Sequence, residues 1–157
     1  MTLSTHTRRQ LEYAEGYLAL GIKGGAAEAL AEITGPDREA TPVLALWLMV
    51  HTDGGDWENA AKVGAVLGER EPGVAAFWIQ WAYATRRHSG IEEARGILIR
   101  GLGMHPREAV FYFNLACYEA QLGRLADARA FLDTAVGLDA EFSELAKTDE
   151  DLEPLRR

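Results

Sequence analysis

Four histidines, one cysteine and a short acidic run carry most of the side-chain chemistry this sequence could offer. His6, His51, His88 and His105 lie far apart along the chain. A helical metal site needs two imidazoles on one face, three or four residues apart, and no pair has that spacing. Cys117 is the sole cysteine, so neither an intramolecular disulfide nor a Cys-based zinc site can be assembled. As a nucleophile it needs a base within hydrogen-bond reach. The candidate base, His51, lies about two repeats upstream, which speaks against contact, and Cys117 reads better as a small apolar residue. Asp53, Asp56 and Glu58 crowd three carboxylates together without the spacing of an EF-hand loop. Asp56 reads instead as a helix N-cap ahead of Trp57. Gly24-Gly25 and Gly54-Gly55 lack the flanking residues of a phosphate loop and read as turns. The expectation is a chain with no catalytic residues, no cofactor and no metal.

Composition narrows the field further. The 157 residues fit one domain, and 48% apolar with 25% charged residues is ordinary globular usage. The formal net charge is -8, from 24 acids against 16 bases. Nucleic acid is held mainly by clustered Lys and Arg, so this balance speaks against a nucleic-acid partner. Asp139 to Arg157 holds seven acids and three bases, a net of -4, which is half of the excess. Met1 to Gln10 contains Arg8 and Arg9 but no apolar run of the kind a signal peptide needs. Val43 to Val50 is too short an apolar stretch to span a bilayer. The expected setting is cytoplasmic, without a membrane partner.

The elements that must position any binding residue repeat along the chain. Ala26, Ala60, Ala94 and Ala128 are spaced by 34 residues. The same offset links Gly21, Gly55, Ser89 and Gly123, then Tyr13, Trp47, Trp81 and Leu115, then Ala14, Leu48, Ala82 and Ala116. It also links Leu30, Gly64, Leu98 and Leu132, and Pro72 with Pro106. Several columns in one register identify a repeat architecture. Within each unit, apolar residues recur at helical spacing in two runs, as in Phe77 to Arg87 and Ile91 to Leu102, or Val110 to Leu122 and Leu125 to Leu138. No segment alternates as a strand does. The fold class is all-α: about four antiparallel helix pairs, over residues 7–40, 41–74, 75–108 and 109–142, with a closing segment at 143–157. Bulky Leu48, where a small residue fits the pattern, is offset by Gly64 on the following helix if volume has moved across that hairpin. Five glycines fall inside second helices, at Gly64, Gly68, Gly96, Gly101 and Gly103, where each costs roughly 1 kcal/mol relative to alanine.

A 34-residue unit with these columns resembles the tetratricopeptide repeat. The fourth unit carries the pattern most fully, with Tyr112, Leu115, Ala116, Gly123, Ala128, Leu132, Ala135 and Leu138. The third supplies Trp78, Trp81, Ala82, Ala94, Leu98 and Pro106. The second keeps Leu44, Trp47, Gly55, Ala60, Leu67 and Pro72. The first keeps Tyr13, Ala14, Tyr17, Gly21, Ala26 and Leu30 but is irregular from Ile33 to Thr41. Leu145 to Arg156 resembles the closing segment that follows the last repeat in many bacterial members. Phe142, Leu145, Leu152 and Leu155 are placed to cover the last apolar face, with the acids turned outward.

The resemblance implies a right-handed α-solenoid that binds protein or peptide on the concave face of its first helices. Two columns match ligand-facing positions: Leu11, Ala45, Ile79 and Phe113, and Glu15, Met49, Tyr83 and Cys117. Arg86, Arg87 and Asn114 flank them. Members that grip a chaperone's carboxylate place Lys, Asn and Arg at such positions, and this chain has mostly apolar residues there. The expected site is therefore an apolar and aromatic groove for a protein or peptide partner. A structural, homo-oligomerising module is the alternative, with Trp57 as its candidate contact, and the expected state is a monomer or weak homo-oligomer. A generic DNA or RNA duplex should show no retention in a filter-binding titration at physiological salt. Salt-sensitive micromolar retention would contradict the reading of the charge balance.

Overall fold

Both alanine-rich columns are inaccessible to solvent, which fixes how each pair of helices meets. Ala26, Ala60, Ala94 and Ala128 are buried, as are Ala14, Leu48, Ala82 and Ala116. Small residues at these levels let two helix backbones approach closely, and larger neighbours fill the space beside them. The computed structural model describes residues 2–157, and among these there is no strand. Four pairs follow one another: α1 (Thr5–Ala19) with α2 (Lys23–Ala31), α3 (Thr41–Asp53) with α4 (Trp57–Arg70), α5 (Ala75–His88) with α6 (Ile91–Met104), and α7 (Ala109–Gln121) with α8 (Leu125–Leu138). A short α9 (Glu141–Thr148) and a 3-10 segment, Glu150–Leu155, follow them. Extensive contacts join consecutive helices, α1 also touches α3, and the last segment packs on α7 and α8. The chain is an all-helical solenoid of consecutive pairs. No described helix is long and apolar enough to cross a membrane.

Three of the four hairpins turn by one device. Gly21, Gly55 and Gly123 adopt φ of 71°, 70° and 76°, a conformation that glycine enters without the Cβ clash of other residues. The next backbone N–H then reaches back to close the helix: Ile22 donates to the Tyr17 carbonyl, Asp56 to His51 and Arg124 to Glu119, at 2.8–2.9 Å. Where Ser89 replaces the glycine, the unusual φ moves to Gly90, whose N–H donates to the Thr85 carbonyl at 3.0 Å. Asp56 also caps α4, accepting from the Asn59 N–H at 3.3 Å.

The irregular end of the first unit has its own physical cause. Gly35–Glu39 forms a 3-10 turn that brings Asp37 onto the start of α1. Its carboxylate accepts from the Thr7 hydroxyl at 2.6 Å and the Ser4 N–H at 3.0 Å. Those donors hold the carboxyl below its ordinary range. Ile33, ahead of this turn in the chain, is buried in the α1–α3 cluster.

Gly64 does not complement Leu48 within its hairpin, which corrects the sequence expectation. A Cβ on Gly64 would lie 2.9 Å from Trp81 Cα, on the first helix of the next pair. Gly68 faces the same indole, and a Cβ on Gly101 would meet the Phe111 ring at 2.6 Å and Trp78 at 3.0 Å. Gly64 and Gly68 let α4 seat Trp81 of the next pair, and Gly101 makes room for Trp78 within its own pair and for Phe111 of the next. Gly96 has no such neighbour, since nothing lies within 4 Å of its Cβ position. The two substitutions should therefore differ in sign. Gly64→Ala should destabilise by about 1–3 kcal/mol through overpacking, while Gly96→Ala should stabilise by about 0.4–1 kcal/mol through lost unfolded-state freedom. Thermal or urea melts measure both, and a neutral Gly64→Ala would show that α4 and α5 are not in close contact.

Candidate binding surface

The sequence-derived positions on the first helices separate into an open group and a covered group. Glu15 on α1, Met49 on α3 and Tyr83 on α5 hold one register, and all three are exposed, Met49 by 45% and Tyr83 by 44%. Tyr83 meets the Trp57 ring edge-on at 5.5 Å. The Arg87 guanidinium lies over the same indole at 4.9 Å, an arrangement favoured by the negative face of the ring. Trp57 is half-buried, and it also packs against the cluster of Leu44, Leu48 and Ala60. Leu11 is buried in the α1–α3 cluster. Ala45 and Ile79 are partly buried against their cores, and Asn114 is half-buried.

The covered group lies under the C-terminal segment. Phe113 is only 7% exposed and packs on Phe142 with ring centroids 4.8 Å apart. Arg86, on α5, donates both terminal nitrogens to the Asp151 carboxylate at 2.5 and 2.8 Å. The same guanidinium sits 5.1 Å from the Tyr118 ring centre. Gln121 donates to the Asp151 carbonyl at 2.9 Å. Leu152 is buried, and Phe142 and Leu155 are partly so, whereas Leu145 is 52% exposed. The expectation that all four apolar side chains cover the last face thus holds for three. The expectation that the acids point outward fails at Asp151, because Arg86 draws it inward.

Cys117 is buried beneath this segment. Burial and the carboxylates of Asp149 and Asp151 push its thiol far up, so it stays protonated at neutral pH. Its neighbours are those carboxylates rather than His51, whose Nδ1 lies 3.2 Å from Asp56. Burial likewise raises the Tyr118 phenol to about 12. The sulfur and the two carboxylates come within 4.8 Å of one another. Both Asp151 oxygens, however, are engaged by Arg86, and Asp149 Oδ1 accepts from the Asp151 N–H at 2.9 Å. The arrangement favours clamping of the segment over nucleophilic chemistry.

A buried charge on α7 also escaped sequence reading. Glu119 is fully buried and paired with Arg95 of α6 and Arg124, and Arg124 reaches Glu92 at 2.8 Å. The network ties α6 and α7 to the turn before α8, and removing one partner would leave an uncompensated buried charge. The sole sequence clue was an acid in an apolar helix, with Arg95 24 residues before it and Arg124 five residues after it.

No protein-family model matches the chain. The pre-mRNA-splicing factor CLF1 of Yarrowia lipolytica is 38% identical over 69 residues, which is 44% of this chain and 10% of that protein. The chain therefore spans about a tenth of the length of this curated relative. Solved structures align over far more of it. A MamA crystal structure matches with a TM-score of 0.81 at 14% identity, covering 96% of this chain and 80% of that one. TTC0263, a thermophilic TPR protein of Thermus thermophilus, gives 0.69 at 20% identity over 90% and 80%. A mutant O-GlcNAc transferase of Thermobaculum terrenum gives 0.70 at 17% identity over 90% of this chain but 27% of that enzyme. Identities this low speak for the fold alone. With the 34-residue columns and the helix pairs, they show that the chain has a tetratricopeptide-type fold.

Proposed function

We propose that the chain is a protein- or peptide-binding scaffold whose docking face is the open first-helix surface of Glu15, Met49 and Tyr83, with Trp57 and Arg87 at its edge. The observation that carries this reading is the exposure of Met49 and Tyr83 in one repeat register on neighbouring first helices. Large apolar side chains left accessible on a solenoid face favour association with another polypeptide. Tyr83, Trp57 and Arg87 are of the residue types that most often anchor interfaces, and their mutual packing holds them in place before a partner arrives. The self-association alternative draws on a different surface, since Leu20 and Ile22 at the α1–α2 turn are also exposed.

A displayed peptide library selected on the full chain, followed by calorimetric titration, tests the scaffold reading. A Met49→Ala, Tyr83→Ala double variant should keep its melting temperature. It should also bind the selected peptides at least thirtyfold more weakly, since a central anchor contributes about 2 kcal/mol. Phe113→Ala, by contrast, should lose about 3–5 kcal/mol of stability, because its ring is buried. Selected peptides that bind the double variant as tightly as the parent would refute this face. Concentration-dependent mass in sedimentation, abolished by Leu20→Ser, would favour self-association instead.

A further inference from the structure

The C-terminal segment is held in a way that differs from a simple apolar lid. A lid over the last helix pair needs only α7 and α8, yet Asp151 reaches Arg86 on α5, 65 residues earlier in the chain. The α9 helix touches the core through Phe142 and Ala146, but none of its own residues is fully buried. A cleft of ≈400 Å³ remains between α8, α9 and the 3-10 segment, lined by Leu132, Val136, Ala146 and Leu155 among others. Anchoring is concentrated further on. Asp151 pairs with Arg86, Gln121 takes the Asp151 carbonyl, Leu152 is 1% exposed, and Arg129 donates to the Leu155 carbonyl at 3.1 Å. A carboxylate in a guanidinium fork, leucines beside it and main-chain carbonyls taken by side-chain donors are the contacts of a bound peptide.

We propose that Asp149–Leu155 is a ligand held in cis, and that the α5–α7 surface beneath it takes in trans a partner peptide of the same acidic-apolar chemistry. Such a peptide carries a carboxylate for Arg86, with leucine-type side chains one and four residues after it, as Leu152 and Leu155 follow Asp151. The proposal rests on the scaffold reading and assigns it a second, regulated site. Tethering gives the segment an effective concentration on the order of millimolar, so it screens out weak competitors. Charge complementarity favours the same occupant, because the segment from Asp139 carries a net of -4 and Arg86 receives it.

Cys117, the sole cysteine, lies directly under the segment and reports its lifting. The experiment uses the full chain and two readouts: the rate of Cys117 labelling by an aromatic disulfide reagent, and binding of a synthetic peptide spanning residues 148–157. Asp151→Asn should raise the labelling rate at least tenfold without lowering the melting temperature of the core. It should also bind the peptide at least tenfold more tightly than the parent. Arg86→Gln should raise labelling in the same way yet fail to bind the peptide. Leu155→Ala, which leaves Arg86 and Cys117 intact, serves as a second opened form should Asp151→Asn fold poorly. Labelling that neither opened form accelerates would overturn the proposal, because the segment would then be a fixed part of the fold. Faster labelling without peptide binding would overturn it too, because the segment would be a cover and not a ligand. If library peptides still bind through Met49 and Tyr83 in that case, the scaffold reading stands and only the second site is lost. If they bind neither surface, both fail.

Discussion

A helix pair in this chain cannot bury its own apolar surface, and the contact between one pair and the next is the constraint on which the structure depends. The α4–α5 junction shows it most sharply. Gly64 and Gly68 leave a groove on α4 into which the Trp81 backbone and indole descend, and α6 repeats the device across the next junction with Gly101 against Phe111. Glycine inside a helix costs about 1 kcal/mol relative to alanine, which burial of an aromatic side chain more than offsets. Arg100 adds to the α5 end of this junction by lying 5.2 and 5.5 Å from the Trp78 and Trp81 rings. Stability therefore passes along the solenoid from neighbour to neighbour.

The same constraint acts on the α7–α8 pair, where the following residues answer it in two chemically different ways. Phe142 and Leu152 supply apolar cover for Phe113 and the α7 face. Asp151 supplies a charge-paired hold on Arg86, which belongs to the preceding pair. The polar half of this closure makes the segment specific in where it sits. Arg86 also faces the Tyr118 ring, so the ring and the carboxylate hold the guanidinium from two sides. The stretch around Met49 and Tyr83 is exposed, whereas Phe113 and Cys117 on α7 are covered.

How much of this was legible in the sequence follows from which contacts repeat. The alanine columns and the turn glycines were readable because the same packing problem recurs every 34 residues and receives the same answer. Gly64 was assigned the wrong partner because its neighbour Trp81 lies across the junction between units, whereas the repeat pattern suggests partners within a hairpin. Asp37 was not foreseen because its contact with Thr7 and Ser4 happens once, in the first pair. Asp151 was expected in water because acids in a charged tail usually are. Nothing in local spacing marks a partner 65 residues away. On the surface itself, the exposed register of Glu15, Met49 and Tyr83 could be read from the columns. The covering of Phe113 and Cys117 could not, since it depends on where a non-repeating segment comes to rest.

Amide hydrogen exchange resolved along the chain tests most directly the claim that a stacked core carries a separable C-terminal strap. Local opening requires less free energy than global unfolding wherever few buried contacts hold a segment. The Leu152 and Arg156 amides, bonded to the Asp149 and Glu153 carbonyls, should exchange at least tenfold faster than the slowest amides of α5 and α7. Those core amides should exchange only through global unfolding. Equal protection of the 3-10 segment and α7 would contradict the account, because the strap and the solenoid would then open as one unit.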